Sequence, residues 1–338
     1  MPATPTSSRL LRLLPGLGLS FGVTLLAVAV EQVEQAFLGG GWLGSLVLAI
    51  IIGAGIRSSV RLGPALLPGI DFSARTLLEV AVVLLGASIS VAAIREAGAT
   101  LVIGIAAIVA TSLGFSYLIC RALGLSARLA TLVACGNSIC GNSAIAATAP
   151  VIGANADEIA SSIAFTAILG VGAVLLMPLL PELLGLSALQ YGAFAGLTVY
   201  AVPQVLAATA PAGLVSMQTG TLVKLVRVMM LGPVIFSLGL AKGAGCRKIS
   251  LHQLVPWFIV GFALMMALRS ANLIPGAALE PIAAASHWLT IIAMAALGLS
   301  VDIRQAARAG GRVIASAVLS LAMLCLISLA LVQVVHLG

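Results

Sequence analysis

The stretch ACGNSICGNSAIAATAPVIGAN, residues 134–155, decides how this chain reads. It sits inside a long apolar region, yet it holds Gly136-Asn137-Ser138 and Gly141-Asn142-Ser143, with Pro150 further on. Glycine weakens a helix, and short amide side chains compete with the helical ladder for backbone groups. Proline removes a donor. In lipid, every opened backbone group costs several kcal/mol unless something satisfies it. An interrupted span therefore belongs in a protein interior, lining a cavity. The spacing predicts a broken helix whose second half starts near Asn142-Ser143-Ala144. Its first amides and positive dipole end would make a cradle for an anion. The competing structural reading is a tight small-residue helix crossing, with Asn and Ser bonding between helices.

The rest of the chain gives that stretch its setting. Of 338 residues, 61% are hydrophobic and 8% charged. A soluble domain carries about a quarter charged residues. The apolar residues form continuous runs rather than the alternation of a membrane β-barrel. The expected class is an all-α membrane protein, a single polytopic domain over residues 1–338. The formal net charge of +7 would raise the question of nucleic acid in a soluble protein. Here the basic residues sit in short loops without aromatic neighbours, so no nucleic-acid partner is expected.

About eleven spans of bilayer length can be drawn, near 13–30, 42–56, 76–92, 99–120, 129–152, 159–180, 189–210, 218–240, 251–270, 281–300 and 313–335. Place the N-terminal tail, about residues 1–12, in the cytoplasm. The same side then holds Arg9, Arg12, Arg57, Arg61, Arg75, Arg121, Arg128, Lys242, Arg247, Lys248, Arg304, Arg308 and Arg312. The opposite loops hold Arg95, beside acids such as Glu31, Glu34, Asp157 and Glu158. That asymmetry supports an odd number of spans, a cytoplasmic N-terminus and an external C-terminus. Ala27-Val28-Ala29 imitates a signal-peptidase site, but the first run is long enough to remain as a helix.

Internal similarity adds a second organising signal. LLGASISVAAIREAG (84–98) resembles ALGLSVDIRQAARAG (296–310), and the two would end on opposite sides. This is the relation expected of inverted repeats, drawn roughly over 42–180 and 189–335. A further echo, AIAATAP (144–150) against VLAATAP (205–211), falls on spans of the same sense, which inversion does not explain.

Other residues join the opening stretch as site candidates. In GLTVYAVPQVLAATAP (196–211), Pro203 predicts a kink, with the amide of Gln204 beside it and Tyr200 one turn earlier. In TLVKLVRVMMLGPVIF (221–236), Lys224 and Arg227 share a helix face. A cation well inside a membrane is a functional candidate; the alternative is that both heads snorkel to the interface from a helix that starts later. If they face inward, Glu79 or an anionic substrate would be their partner. Arg269, at a span end, can snorkel. The three histidines, His252, His287 and His336, are placed at span ends.

Several chemistries are set aside. The sequence has no G-x-x-x-x-G-K-[ST] loop, so ATP is not the expected energy source, and no H-E-x-x-H. The five cysteines suggest small packing residues, with neither a disulfide framework nor a metal set. No cofactor and no metal are expected. Ser138 or Ser143 as the nucleophile of an intramembrane enzyme would need a base that the sequence does not offer, so an enzyme is not the expected reading.

CGNSICGNSAIAATAPVI, followed by VPQVLAA and KLVRVMMLGPV, resembles the YeiH-like family of bacterial inner-membrane proteins, to which sulfate export is ascribed. The resemblance covers the chain from about residue 40 to its end. Through it the chain is similar to the wider superfamily of sodium–bile-acid symporters, auxin carriers and sodium/proton antiporters. It implies inverted repeats with discontinuous helices that cross near the midplane. Asn137, Ser138, Asn142 and Ser143 would lie at the crossing, with Gln204 on the other repeat. Where that family's pattern often carries a histidine, this chain has Tyr200, which puts a proton-linked role there in doubt.

The combined expectation is a secondary transporter of a small anion such as sulfate, moving it outward by alternating access, one bundle against the other. The substrate-binding set would be Asn137, Ser138, Asn142, Ser143, Tyr200, Gln204, Lys224 and Arg227, with the small anion and the lipid bilayer as partners. A homo-oligomer is compatible with the sequence. The first rival is a sodium- or proton-coupled carrier of an organic solute on the same fold.

Overall fold

The computed structural model describes residues 6–38, 44–88, 91–241, 257–301 and 311–334. Among them every regular element is helical. Six helical stretches are long and apolar enough to cross a membrane: Arg12–Phe37, Val102–Ala122, Ala156–Leu184, Leu214–Leu240, Gly276–Ser300 and Gly311–Gln333. Shorter apolar helices accompany them. The protein is therefore an all-α, multi-pass membrane protein. Each apolar run read from the sequence falls, in its described part, mostly on helix. Several of the runs, however, hold more than one helix, among them 129–152, 189–210 and 218–240.

The chain divides into two compact units, Met1–Ser90 with Gly261–Arg304, and Val91–Val260 with Gln305–Gly338. In the first, α1 (Thr6–Leu38), α2 (Ser45–Ser59), α3 (Leu67–Phe72) and α4 (Leu78–Leu85) pack with the long helix Gly276–Ser300. Without a hydrophobic drive between helices in lipid, close approach comes from small residues. A Cβ on Gly53 would come within 2.6 Å of the Ala295 carbonyl, so the backbones touch there. Gly298 meets the Ile50 carbonyl in return, and Gly16 and Gly69 meet in the same way. Hydroxyls in this apolar setting bond one turn back: Ser20 to the Gly16 carbonyl and Thr24 to the Ser20 carbonyl, each at 2.9 Å.

The second unit carries the interrupted helices. It comprises α5 (Val91–Ala122), α6 (Ala127–Cys135), α7 (Asn142–Ile152), α8 (Ala156–Leu176), α9 (Leu180–Leu184), α10 (Ala188–Thr198), α11 (Val202–Thr209), α12 (Leu214–Met229) and α13 (Leu231–Ala241). After α14 (Trp257–Ser270), which begins in it, and α15 (Gly276–Ser300) of the first unit, α16 (Gly311–Val334) completes it. Caps fix where the key helices start. Ser126 caps α6 through the Leu129 amide, Asn155 and Glu158 form a capping box on α8, and Ser187 and Gln190 form one on α10. Ser126 also donates to Glu158 at 2.8 Å, tying the start of α6 to the start of α8.

The histidine placement needs correction. His287 lies near the middle of α15, exposed, rather than at a span end. His252 and His336 lie outside the described residues, as do Cys246, Lys242, Arg247, Lys248, Arg304 and Arg308, and much of the 84–98 and 296–310 comparison.

Candidate functional site: two interrupted helices crossing on a cation pair

The first interruption is built by the double Gly-Asn-Ser sequence. α6 runs into a π-turn over Gly136–Cys140, closed by the Gly141 amide on the Gly136 carbonyl at 2.9 Å. Such wide turns cluster at functional positions. Gly141 then takes φ 66°, ψ −125°, a conformation side-chain-bearing residues avoid. A Cβ there would also sit 3.2 Å from the Tyr200 Cβ. α7 starts anew at Asn142. The break falls at Gly141, and Pro150 stays inside α7 without ending it.

The second interruption lies over Val199–Ala201. α10 ends at Thr198, and Val199 and Ala201 are extended. This corrects the expected kink. Pro203 occupies the first turn of a new helix, where its missing amide is not needed. Tyr200 is not one helical turn before Gln204 but lies within the break. Gln204, buried at 5% exposure, accepts from the Ala201 amide at 3.2 Å and so caps α11. Gly170 of α8 makes room for its amide. The AATAP echo now has a structural counterpart: both copies begin in the half-helix that follows a break, α7 and α11.

Each interruption leaves carbonyls without a helical partner, and Lys224 and Arg227 of α12 take them. Lys224 Nζ donates to the Ile139 and Val199 carbonyls, both at 2.7 Å. Arg227 Nε donates to the Ser138 carbonyl at 2.7 Å, Nη1 to Val199 at 3.3 Å, and Nη2 to the Asn137 carbonyl. Both side chains are 0% exposed, so neither snorkels. The sequence reading offered Glu79 or substrate as their partner; the contacts found are backbone carbonyls. Their reach follows from small residues. Gly192 and Gly196 of α10 pack against Ser216 and Gly220 of α12, drawing α12 against the end of α10.

Side chains then lock one break to the other. Tyr200 donates to Asn137 Oδ1 at 2.6 Å, and Asn137 Nδ2 donates to the Ala317 carbonyl of α16 at 3.1 Å. The Tyr200 ring stands edge-on to Phe165, centroids 6.5 Å apart. Asn137, Ser138, Tyr200, Lys224 and Arg227 thus form one buried cluster. Ser138 Oγ within it has no hydrogen-bond partner. Asn142 and Ser143 differ: both are exposed, at the first turn of α7. The Thr166 hydroxyl of α8 donates to Asn142 Oδ1. Sequence reasoning missed Thr166, Phe165, Gly170 and the Ala317 carbonyl. Only Gly170, a glycine inside a helical run, carried any signal.

Residues 15–317 match the family described as conserved hypothetical protein 698. Proteins called UPF0324 membrane protein are similar over nearly the whole chain. The one from Brucella melitensis is 60% identical over 97% of this chain and 92% of its own length. The Agrobacterium fabrum protein is 60% identical over 95% and 92%. This chain belongs to the UPF0324 membrane protein family. A more distant UPF0324 protein, from Bacillus cereus, is 34% identical over 96% of this chain and 92% of its own length. No solved structure matches the chain. The UPF0324 name describes a membrane protein and carries no substrate.

Proposed function

We propose that the protein is a secondary transporter of a small anion, working by alternating access around the crossing of its two interrupted helices. The observation that carries this reading is the pairing of two broken helices with two buried cations. Two helix C-termini bring roughly one negative charge in all, about half a unit each. When both are protonated, Lys224 and Arg227 outweigh it by roughly one unit, and the N-termini of α7 and α11 add positive potential. Among the described residues of this unit the acids are Glu96, Asp157, Glu158 and Glu182, near the starts of α5, α8 and α9 rather than in either break. The balance favours an anion over a cation.

The cradle is the exposed first turn of α7, with the Asn142 and Ser143 side chains and the leading amides of the helix. Asn137, Tyr200, Lys224 and Arg227 hold the crossing in shape behind it, Ser138 sits in its π-turn, and Gln204 caps the second half-helix. The sodium-coupled alternative is less well supported, because the carbonyls it would need at the breaks are taken by Lys224 and Arg227. Intramembrane hydrolysis is disfavoured by Ser138, whose hydroxyl has no hydrogen-bonding base. Sulfate moving outward across the bacterial inner membrane, with a cytoplasmic N-terminus, remains the specific substrate and sense proposed. An ion gradient or the anion's own gradient supplies the energy.

Purified protein in liposomes tests this. Flux would be screened over sulfate, sulfite, thiosulfate and small sulfonates, with and without sodium and pH gradients. Saturable flux of one of them, weakened when Asn142 and Ser143 become Ala, is the expected result. Sodium-dependent flux of a neutral or cationic solute with no anion flux would overturn the anion reading.

A further inference from the structure

The other unit carries a feature that transport at the crossing does not use. Gly44, just before α2, lies beside the Glu31 side chain, 3.9 Å from where its Cβ would be. α2 therefore runs back along α1 for fifteen residues and ends about level with Gly16. At that level Gly69 packs its backbone on Leu13 and Gly16. Three elements thus deliver their arginines to one end of the unit: Arg12 from α1, Arg57 and Arg61 from the end of α2 and the segment after it, and Arg75 beyond α3. Arg75 is paired with Asp71 at 2.9 Å. Of the other described acids of this unit, Glu31 and Glu34 sit toward the far end of α1, Glu79 lies in the first turn of α4 and Glu280 near the start of α15. Arg12, Arg57 and Arg61 are left without a carboxylate in the described structure.

Two further observations point to a ligand. Arg57 Nε is sealed from solvent and has no hydrogen-bond partner, although arginine is a fork-shaped donor suited to phosphate. Leu14, Val60 and Leu67, at 58%, 56% and 43% exposure, present large apolar side chains at the same end of the unit. Guanidinium groups together with exposed aliphatic side chains match a phosphate headgroup continuing into acyl chains.

We propose that this end of the first unit is a binding site for an anionic phospholipid, its headgroup phosphate held by Arg12, Arg57 and Arg61 and its chains lying on Leu14, Val60 and Leu67. On the orientation that the charge asymmetry supports, the lipid belongs to the cytoplasmic leaflet.

Native mass spectrometry of the purified full chain tests it, titrated with phosphatidylglycerol, with phosphatidylcholine of the same acyl chains, and with inorganic phosphate. Phosphatidylglycerol is expected to bind in preference. Arg12→Gln, Arg57→Gln and Arg61→Gln together should weaken it by about fivefold per guanidinium removed. The charge-matched control, Arg128→Gln with Arg269→Gln and Arg312→Gln, should leave it unchanged. Equal binding of the two lipids overturns the proposal. So does an equal loss in the control, or displacement of the lipid by inorganic phosphate. Should the site variant fail to fold, thermal stability of the wild type decides: phosphatidylglycerol must raise it more than phosphatidylcholine does, and equal effects overturn the site.

Discussion

The Tyr200 hydroxyl donates to the Asn137 side-chain oxygen at 2.6 Å, joining the break after α10 to the break after α6. The two residues are 63 positions apart, and both are buried. Tyr200→Phe keeps the ring against Phe165 but leaves the Asn137 oxygen without its donor. A buried unsatisfied acceptor costs about 1–3 kcal/mol. Thermal unfolding in detergent should show that loss, and an unchanged midpoint would mean the tie is not made.

Arg227 serves three carbonyls and Lys224 two. Removing one partner of a buried charged network costs about 3–5 kcal/mol. Arg227→Ala should therefore give little monodisperse protein by fluorescence-detected size exclusion. Arg227→Lys should do better than Ala and worse than wild type, since an ammonium cannot reproduce the fork. An Arg227→Ala protein as stable as wild type would remove the structural role assigned here.

Gly141 combines φ 66°, ψ −125° with close contact to Tyr200. Gly141→Ala should cost about 1–3 kcal/mol in backbone strain alone. Gly172, where a Cβ would meet nothing within 4 Å, is the matched control. Equal midpoints for the two variants would contradict the geometry of the break.

Ser138 Oγ is buried without a partner. Ser138→Ala removes an unsatisfied hydroxyl, so stability should hold or rise slightly, and anion flux should persist. Abolished function with unchanged folding would instead revive a nucleophilic role for Ser138.

Much of this architecture was legible in the sequence. Continuous apolar runs gave the helical membrane class, and the double Gly-Asn-Ser unit marked a real interruption, because glycine and amide side chains act locally on the ladder. Pro203 was read as a kink, since a proline motif alone does not say whether the preceding helix runs on into it; α10 stops at Thr198 and Val199 and Ala201 are extended, so Pro203 opens a new helix instead. The burial of Lys224 and Arg227 was legible as a possibility of the shared helix face. Their partners were not, because carbonyls freed by breaks 25 to 90 residues away are set by tertiary packing. The Ala317 carbonyl had no sequence signature at all.

The central claim is that the first turn of α7 faces a water-filled path to an anion. Ser143→Cys, in a chain with its native cysteines replaced, tests it most directly through reaction with a charged, membrane-impermeant thiol reagent. The account predicts labelling in proteoliposomes that the transported anion slows, while Ser138→Cys stays unreactive. A Ser143→Cys protein that resists the charged reagent yet reacts with a lipid-soluble one would place this turn against acyl chains and contradict the account.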